Sequence, residues 1–254
     1  MKPAIFKLSC CLSFCGIILL STIIACNSQK ETVANRGLQN LTAHYNILYN
    51  ANELFNESER NIKLSYQDDY DRLISVYIEP NEALSQSENN KLDEALLKAN
   101  TIINEKFQSK YVDDAYFLIA KANHLKSNFF NAAEFFTYVY QSYPKEVEIK
   151  QAALAWKVRS LMQLERFEEA KDNLDTAFKY IDTEKKSKVN IYAAQAQLLI
   201  YAHKDEEAAL MLEKAIKLSK NKEYRIRWTY LLAQLQELTG KQDAAYANYT
   251  SIVK

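Results

Sequence analysis

Glycine and proline are nearly missing, with three of each in 254 residues. Gly16 and Pro3 fall in the first 25 positions. The turns of all-β folds draw on these residues, so their scarcity argues against such a fold and against long flexible linkers. Phosphate-cradling loops need glycine for close backbone approach, and beyond residue 25 only Gly37 and Gly240 remain. Charge of one sign is missing as well. Lys2 and Lys7 are the only charged residues before Cys26, which leaves the rest of the chain an acidic excess of two. That balance gives no electrostatic footprint for nucleic acid. His44, His124 and His203 lie far apart and share no metal-ligand spacing. Acidic pairs such as Asp68-Asp69 and Glu206-Glu207 sit beside turns or at helix starts, where carboxylates suit the helix dipole. No cofactor, metal or small-molecule substrate is expected, and no nucleophile-and-base constellation marks an enzyme. Hydrophobic residues still make up 48% of the chain, enough for a packed core.

What is present at the start is a targeting pattern. Lys2 and Lys7 precede an uncharged apolar run from Leu8 to Ala25, and Ile23-Ile24-Ala25-Cys26 matches a bacterial lipobox. The 18-residue run is near the lower limit for an uncleaved transmembrane anchor, but an anchor needs no cysteine at that point. The expectation is a signal peptide over 1–25 with Cys26 lipidated as the new N-terminus. Cys10, Cys11 and Cys15 would be discarded, leaving no thiol for a disulfide, a zinc site or nucleophilic catalysis. Residues 26–36 then read as the lipidated cysteine and a polar tether.

The longest-range signal is internal repetition. Ala132, Ala170 and Ala208 recur at intervals of 38 residues and Ala245 follows after 37. Each is followed four residues on by a large apolar group (Phe136, Leu174, Leu212, Tyr249) and three further by Val139, Ala177, Ala215 or Ile252, one face of a helix. Twelve residues before each stands Ala120, Val158, Ala196 or Ala233. Small residues on two antiparallel helices permit close approach, so each unit reads as a helical hairpin that buries its apolar face only by stacking on neighbours. Turns are expected at 126–128, 164–166, 202–204 and 239–241. The units resemble tetratricopeptide repeats, with Pro144 at the family's closing proline and a period longer than the usual ~34 residues. The fold class expected is all-α, a TPR-like helical-hairpin solenoid (a right-handed superhelix). Its units span about 38–104, 112–144, 150–182, 188–219 and 225–253 within a domain over 37–254. The extra length per unit enters as an added turn or as a longer loop such as Glu184 to Lys188.

Upstream, Leu38, Leu41, Tyr45, Leu48 and Phe55 predict one stripe on a helix over 38–64. The segment from Gln67 to Pro80 breaks the pattern and reads as an ordered connector packed on the helices, a short strand being the alternative. Helix resumes over 82–104, where Ala95 lies 37 residues before Ala132 and Ala99 and Ile102 follow in phase. The chain stops after the second helix of its last unit without the polar cap a solenoid normally carries. It is therefore expected either to be the front of a longer protein or to meet a partner there. The candidate partner-binding surface is the concave face lined by the first helices: Phe117, Lys121, His124, Arg159, Met162, Gln197, Tyr201, Tyr230 and Gln234. Mixed aromatic and hydrogen-bonding groups suit a peptide or partner helix; a merely solvated face fits them equally well. On the first reading, Arg159→Ala spares stability and weakens partner capture.

A family resemblance rests on the lipobox together with Asn40-Leu41-Thr42-Ala43-His44-Tyr45-Asn46, Tyr49-Asn50-Ala51, Asp68-Asp69-Tyr70 and the run from Arg225 to Leu235. On these the chain is similar to the N-terminal portion of the SprE/PorW family, the TPR lipoproteins of the Bacteroidota type IX secretion and gliding-motility apparatus. The resemblance implies a non-enzymatic lipoprotein anchored in the outer membrane and facing the periplasm, in contact with protein components of that machinery. The alternative is a TPR lipoprotein assembly factor of the outer-membrane β-barrel insertion machinery, of comparable mature length.

Overall fold

Four turns set the geometry of the chain, and each uses the same backbone device. Ser127, Glu165, His203 and Gly240 take left-handed conformations with φ of 61°, 57°, 55° and 77°. Their spacing repeats the alanine period. At each, the next N–H reaches back to close the preceding helix: Asn128 to the Asn123 carbonyl, Arg166 to Leu161, Lys204 to Leu199 and Lys241 to Gln236, at 2.8–2.9 Å. This is the Schellman arrangement, which satisfies the last carbonyls of a helix and reverses the chain. Only the fourth turn uses glycine, the residue that adopts φ > 0 without strain.

The computed structural model describes residues 31–143, 147–179 and 188–253. The expected signal peptide, Cys26, Pro144 and most of the loop 184–188 lie outside them. Among the described residues there is helix and no strand. The first pair of helical segments is α1 (Val33–Thr42) and α2 (Tyr49–Ser65), joined by a π-helical stretch over Ala43–Leu48. After a non-helical segment come the short α3 (Glu82–Ser85), a 3-10 turn and α4 (Asn89–Glu105). Four hairpins follow: α5 (Val112–Leu125) with α6 (Phe129–Ser142), and α7 (Val147–Gln163) with α8 (Phe167–Lys179). The last two are α9 (Lys188–Tyr201) with α10 (Asp205–Leu218), and α11 (Lys222–Leu238) with α12 (Gln242–Val253). α2 packs on α4, each helix from α4 onward packs on the next in sequence, and α5 packs on α7 and α7 on α9. The fold is an all-α helical-hairpin solenoid.

The small residues that carry the repeat are where hairpins close. Ala120, Val158, Ala196, Ala233, Ala132, Ala170 and Ala208 are wholly buried, and Ala245 nearly so. Val158, Ala170, Leu174 and Ala177 share one apolar cluster, and Ala196, Ala208, Leu212 and Ala215 share another. Overpacking such a contact costs about 1–3 kcal/mol. Ala170→Leu is therefore expected to lower the melting temperature, measured by circular dichroism. An unchanged melt would contradict the close approach of α7 and α8.

The first segment departs from its expected pattern. α1 begins at Val33, within the stretch read as tether, with the Thr32 hydroxyl accepting from the Asn35 N–H at 3.2 Å. Leu38, Leu41 and Tyr45, expected on the buried stripe, are 59%, 59% and 73% exposed, whereas Gln39, Ala43, Leu48, Ala51, Phe55 and Ile62 are buried. A π-helical turn carries more residues than an α-turn, so the inward face rotates across residues 43–48. The polar side of α1 is drawn inward: Gln39 Oε1 accepts from the Gln108 N–H at 3.1 Å and Asn40 Oδ1 from the Lys110 N–H at 2.8 Å.

Candidate functional site: a groove that holds its own chain

The segment from Tyr66 to Asn81, between α2 and α3, runs as a strap along the face made by α5, α7, α9 and α11. It contains a turn and a bend but no helix or strand, so its backbone needs partners from elsewhere. Side chains of the first helices supply them. Gln234 on α11 accepts from the Ile74 N–H at 3.0 Å and donates to the Arg72 carbonyl at 2.8 Å. Gln197 on α9 accepts from the Val76 N–H at 2.7 Å. The Val76 carbonyl accepts from Trp228 Nε1 at 2.9 Å, and the Ser75 carbonyl from Arg227 Nε at 3.0 Å. The Tyr77 hydroxyl donates to the Asn190 carbonyl at 3.2 Å. Ile74, Val76 and Tyr77 are buried in one cluster with Ala193, Ala196, Leu199, Trp228, Leu231 and Leu235, so the strap is also core.

Charge pins both ends. At one end Arg227 makes a bidentate pair with Asp68, at 2.6 and 2.8 Å. At the other, Arg159 Nε and Nη2 donate to the two Glu79 oxygens at 2.8 and 2.9 Å. The guanidinium lies over the Trp156 ring at 3.9 Å and the Tyr77 ring at 4.2 Å. His124 is wholly buried, with Nε2 2.7 Å from Glu79 and Nδ1 2.9 Å from the Ser160 hydroxyl. A carboxylate only accepts, so Nε2 carries a proton, while Nδ1 meets the Ser160 hydroxyl, which also lies 3.1 Å from the Trp156 carbonyl. Burial alone would raise the Glu79 carboxyl, but Arg159 and His124 more than offset it and hold it well below the usual carboxylate range. Burial works against the Arg159 charge too, and Glu79 overcomes it, keeping the guanidinium charged. For His124, burial wins and lowers its pKa despite Glu79.

That last shift has a sign. An unfolded histidine takes up a proton below its ordinary value near 6.5, while the folded chain resists protonation at His124. Stability from this site is therefore full above that value and falls as pH drops below it. Melting between pH 7 and 5 is expected to fall less steeply for His124→Gln than for the parent. Equal slopes would contradict a neutral buried imidazole.

The structure distributes the nine sequence-derived positions unevenly. His124, Arg159, Gln197 and Gln234 all bond the strap. Tyr230 stands at the strap's turn, its ring 5.3 Å from both Tyr70 and Tyr249. Phe117 and Lys121 line a cavity of about 290 Å³ with Phe55, Trp156, Arg159 and Tyr224. There the Lys121 ammonium lies 4.4 Å from the Phe55 ring and 5.2 Å from that of Phe117, and burial pushes its pKa down to about 8. Tyr201 is half-exposed against Phe167 at 5.3 Å. Met162 is a correction. It is buried in the cluster of Leu161, Ala170, Leu174 and Leu198, packed against α8 and α9, and so is not open to a partner. Reasoning from sequence missed Asn190, Arg227, Trp228 and the strap's own Asp68 and Glu79. Their available signal was a non-helical stretch of 16 residues between neighbouring helices.

Among the described residues no group of histidine, cysteine or acidic side chains has metal-binding geometry, and no helix is long and apolar enough to cross a membrane. Fold and groove define the class: a helical-hairpin repeat solenoid whose first helices hold a non-helical segment of its own chain. No protein-family model matches the sequence, and neither does any curated protein. Solved structures similar at low level include two of MamA. One is the MamA RS-1 ArsTM double mutant, 15% identical, with a TM-score of 0.47 over 67% of this chain and 89% of that one. The other is MamA 41-end from Desulfovibrio magneticus RS-1, 13% identical, with a TM-score of 0.43 over 80% of this chain and 93% of that one. Neither likeness bears on activity or partners.

Proposed function

We propose that the chain is a non-enzymatic, membrane-tethered scaffold of the type IX secretion and gliding-motility machinery, and that it binds protein partners in the periplasm. The observation that carries the scaffold reading is the groove itself. Its glutamine, arginine and tryptophan side chains bond the main chain of an open polypeptide segment, a mode of recognition suited to peptides. The machinery is a reading of the motif resemblance. Two of its motifs meet in the fold, since Asp68 pairs with Arg227. The lipobox at Cys26 supports the anchor. Val33 is seven residues beyond it, a reach of at most about 25 Å, so α1 is held near the membrane. There the exposed Leu38, Leu41, Tyr45 and Tyr49 suit an interfacial location.

Envelope crosslinking followed by affinity capture tests the machinery. Motor, periplasmic-ring and translocon proteins are the expected catch; barrel-assembly proteins instead would contradict the assignment. Mass spectrometry of the membrane fraction is expected to find a lipidated peptide starting at Cys26. A Cys26→Ser chain that still partitions wholly with outer membranes would contradict the anchor.

A further inference from the structure

The strap is longer than its connection requires. Sixteen residues, 66–81, join α2 to the short helix before α4, although α2 and α4 pack together. Loops beyond about 12–15 residues without secondary structure are uncommon in compact domains and usually functional. The added length carries the chain out to Gln234 on α11 and back to Arg159 on α7.

What the groove reads along that path is largely generic. Gln234, Gln197, Trp228 and Arg227 bond main-chain atoms of Arg72, Ile74, Ser75 and Val76, and any open polypeptide offers these. Two features are selective. Ile74 and Val76 enter the apolar wall of α9 and α11, and the Glu79 carboxylate occupies a seat built by Arg159 and His124, both more than nine-tenths buried. The strap has no helix or strand of its own, so it is held by side chains of the first helices. Its outer end at Asp69, Tyr70, Asp71 and Arg72 is exposed.

We infer that the groove is a receptor for a non-helical segment bearing aliphatic side chains and a glutamate, that the strap is its tethered occupant, and that a partner segment of this chemistry replaces it in trans. The inference rests on the scaffold reading and adds the class of partner segment. A tethered occupant competes at an effective concentration on the order of millimolar, so the groove is closed to weak ligands and opens to a tighter one or when the strap is loosened.

The probe is a fluorescent synthetic peptide of residues 68–80, titrated by anisotropy against the full mature chain. Glu79→Gln loosens the strap and leaves every groove residue in place. This variant is expected to bind the peptide at least tenfold more tightly than the parent does. A peptide carrying the same Glu-to-Gln change should lose that binding. If Glu79→Gln does not fold, a protease site inserted between Asp69 and Tyr70 in the otherwise unchanged chain frees one end of the strap after cleavage, with the same expectation. A folded loosened or nicked chain that ignores the peptide would overturn the inference, as would binding indifferent to the glutamate. Dimerisation of the nicked chain at the same concentrations would assign the groove to a second copy's strap and overturn its assignment to a partner. Envelope crosslinking is a separate readout, so failure here leaves the scaffold reading standing, and failure there leaves peptide exchange standing.

Discussion

Arg159→Ala is expected to destabilise the chain by about 3–5 kcal/mol, the usual cost of removing one partner from a buried ion pair. The change strips Glu79 of both guanidinium bonds and leaves a carboxylate in the groove with only His124 beside it. It also removes a planar cation from between Trp156 and Tyr77. With a total stability of about 5–15 kcal/mol for an ordinary domain, that is a large fraction. The contrasting variant replaces both partners, Arg159→Met with Glu79→Leu, and is expected to recover much of the loss because no charge is stranded. Denaturant unfolding of the two variants beside the parent makes the comparison. An Arg159→Ala midpoint equal to the parent's would mean that Glu79 is not buried against it. This reverses the expectation from sequence, in which Arg159 faced a partner and its loss spared stability.

Trp228→Ala should be as costly, about 3–5 kcal/mol for a large buried aromatic truncated in a packed core. Trp228 is 1% exposed, stacks on Tyr224 at 5.1 Å and donates to the Val76 carbonyl. Trp228→Phe separates these contributions. It keeps most of the apolar burial but leaves that carbonyl without its donor, a loss of about 1–3 kcal/mol. The same denaturant series reads both. Trp228→Phe behaving like the parent would mean that the indole does not hold the strap.

The solenoid was legible because its signal is periodic and local. Alanines at fixed intervals mark where paired helices touch, and the turn residues repeat with them. The rotated face of α1 was not legible, because an α-helical period carried through residues 43–48 takes no account of a π-helical turn. The role of the groove was half legible. Helical register puts Arg159, Gln197 and Gln234 on the first helices' inner face, but a polar side chain there reads alike whether it meets water, a partner or the chain's own backbone. What decided between these was a segment some 160 positions away from Gln234. Ile74, Val76 and Pro80 read as a connector, and nothing local in them says which helices they cross. Trp228 shows the same limit, since its position predicts burial and not the carbonyl its indole meets.

Hydrogen–deuterium exchange over residues 72–79 of the full mature chain tests most directly that the groove is filled by the strap. The Ile74 and Val76 amides donate to glutamine side chains inside the core, so they should be strongly protected, while Tyr70 and Asp71 at the exposed turn exchange fast. Exchange of Ile74 and Val76 at the rate of an unstructured peptide would contradict it.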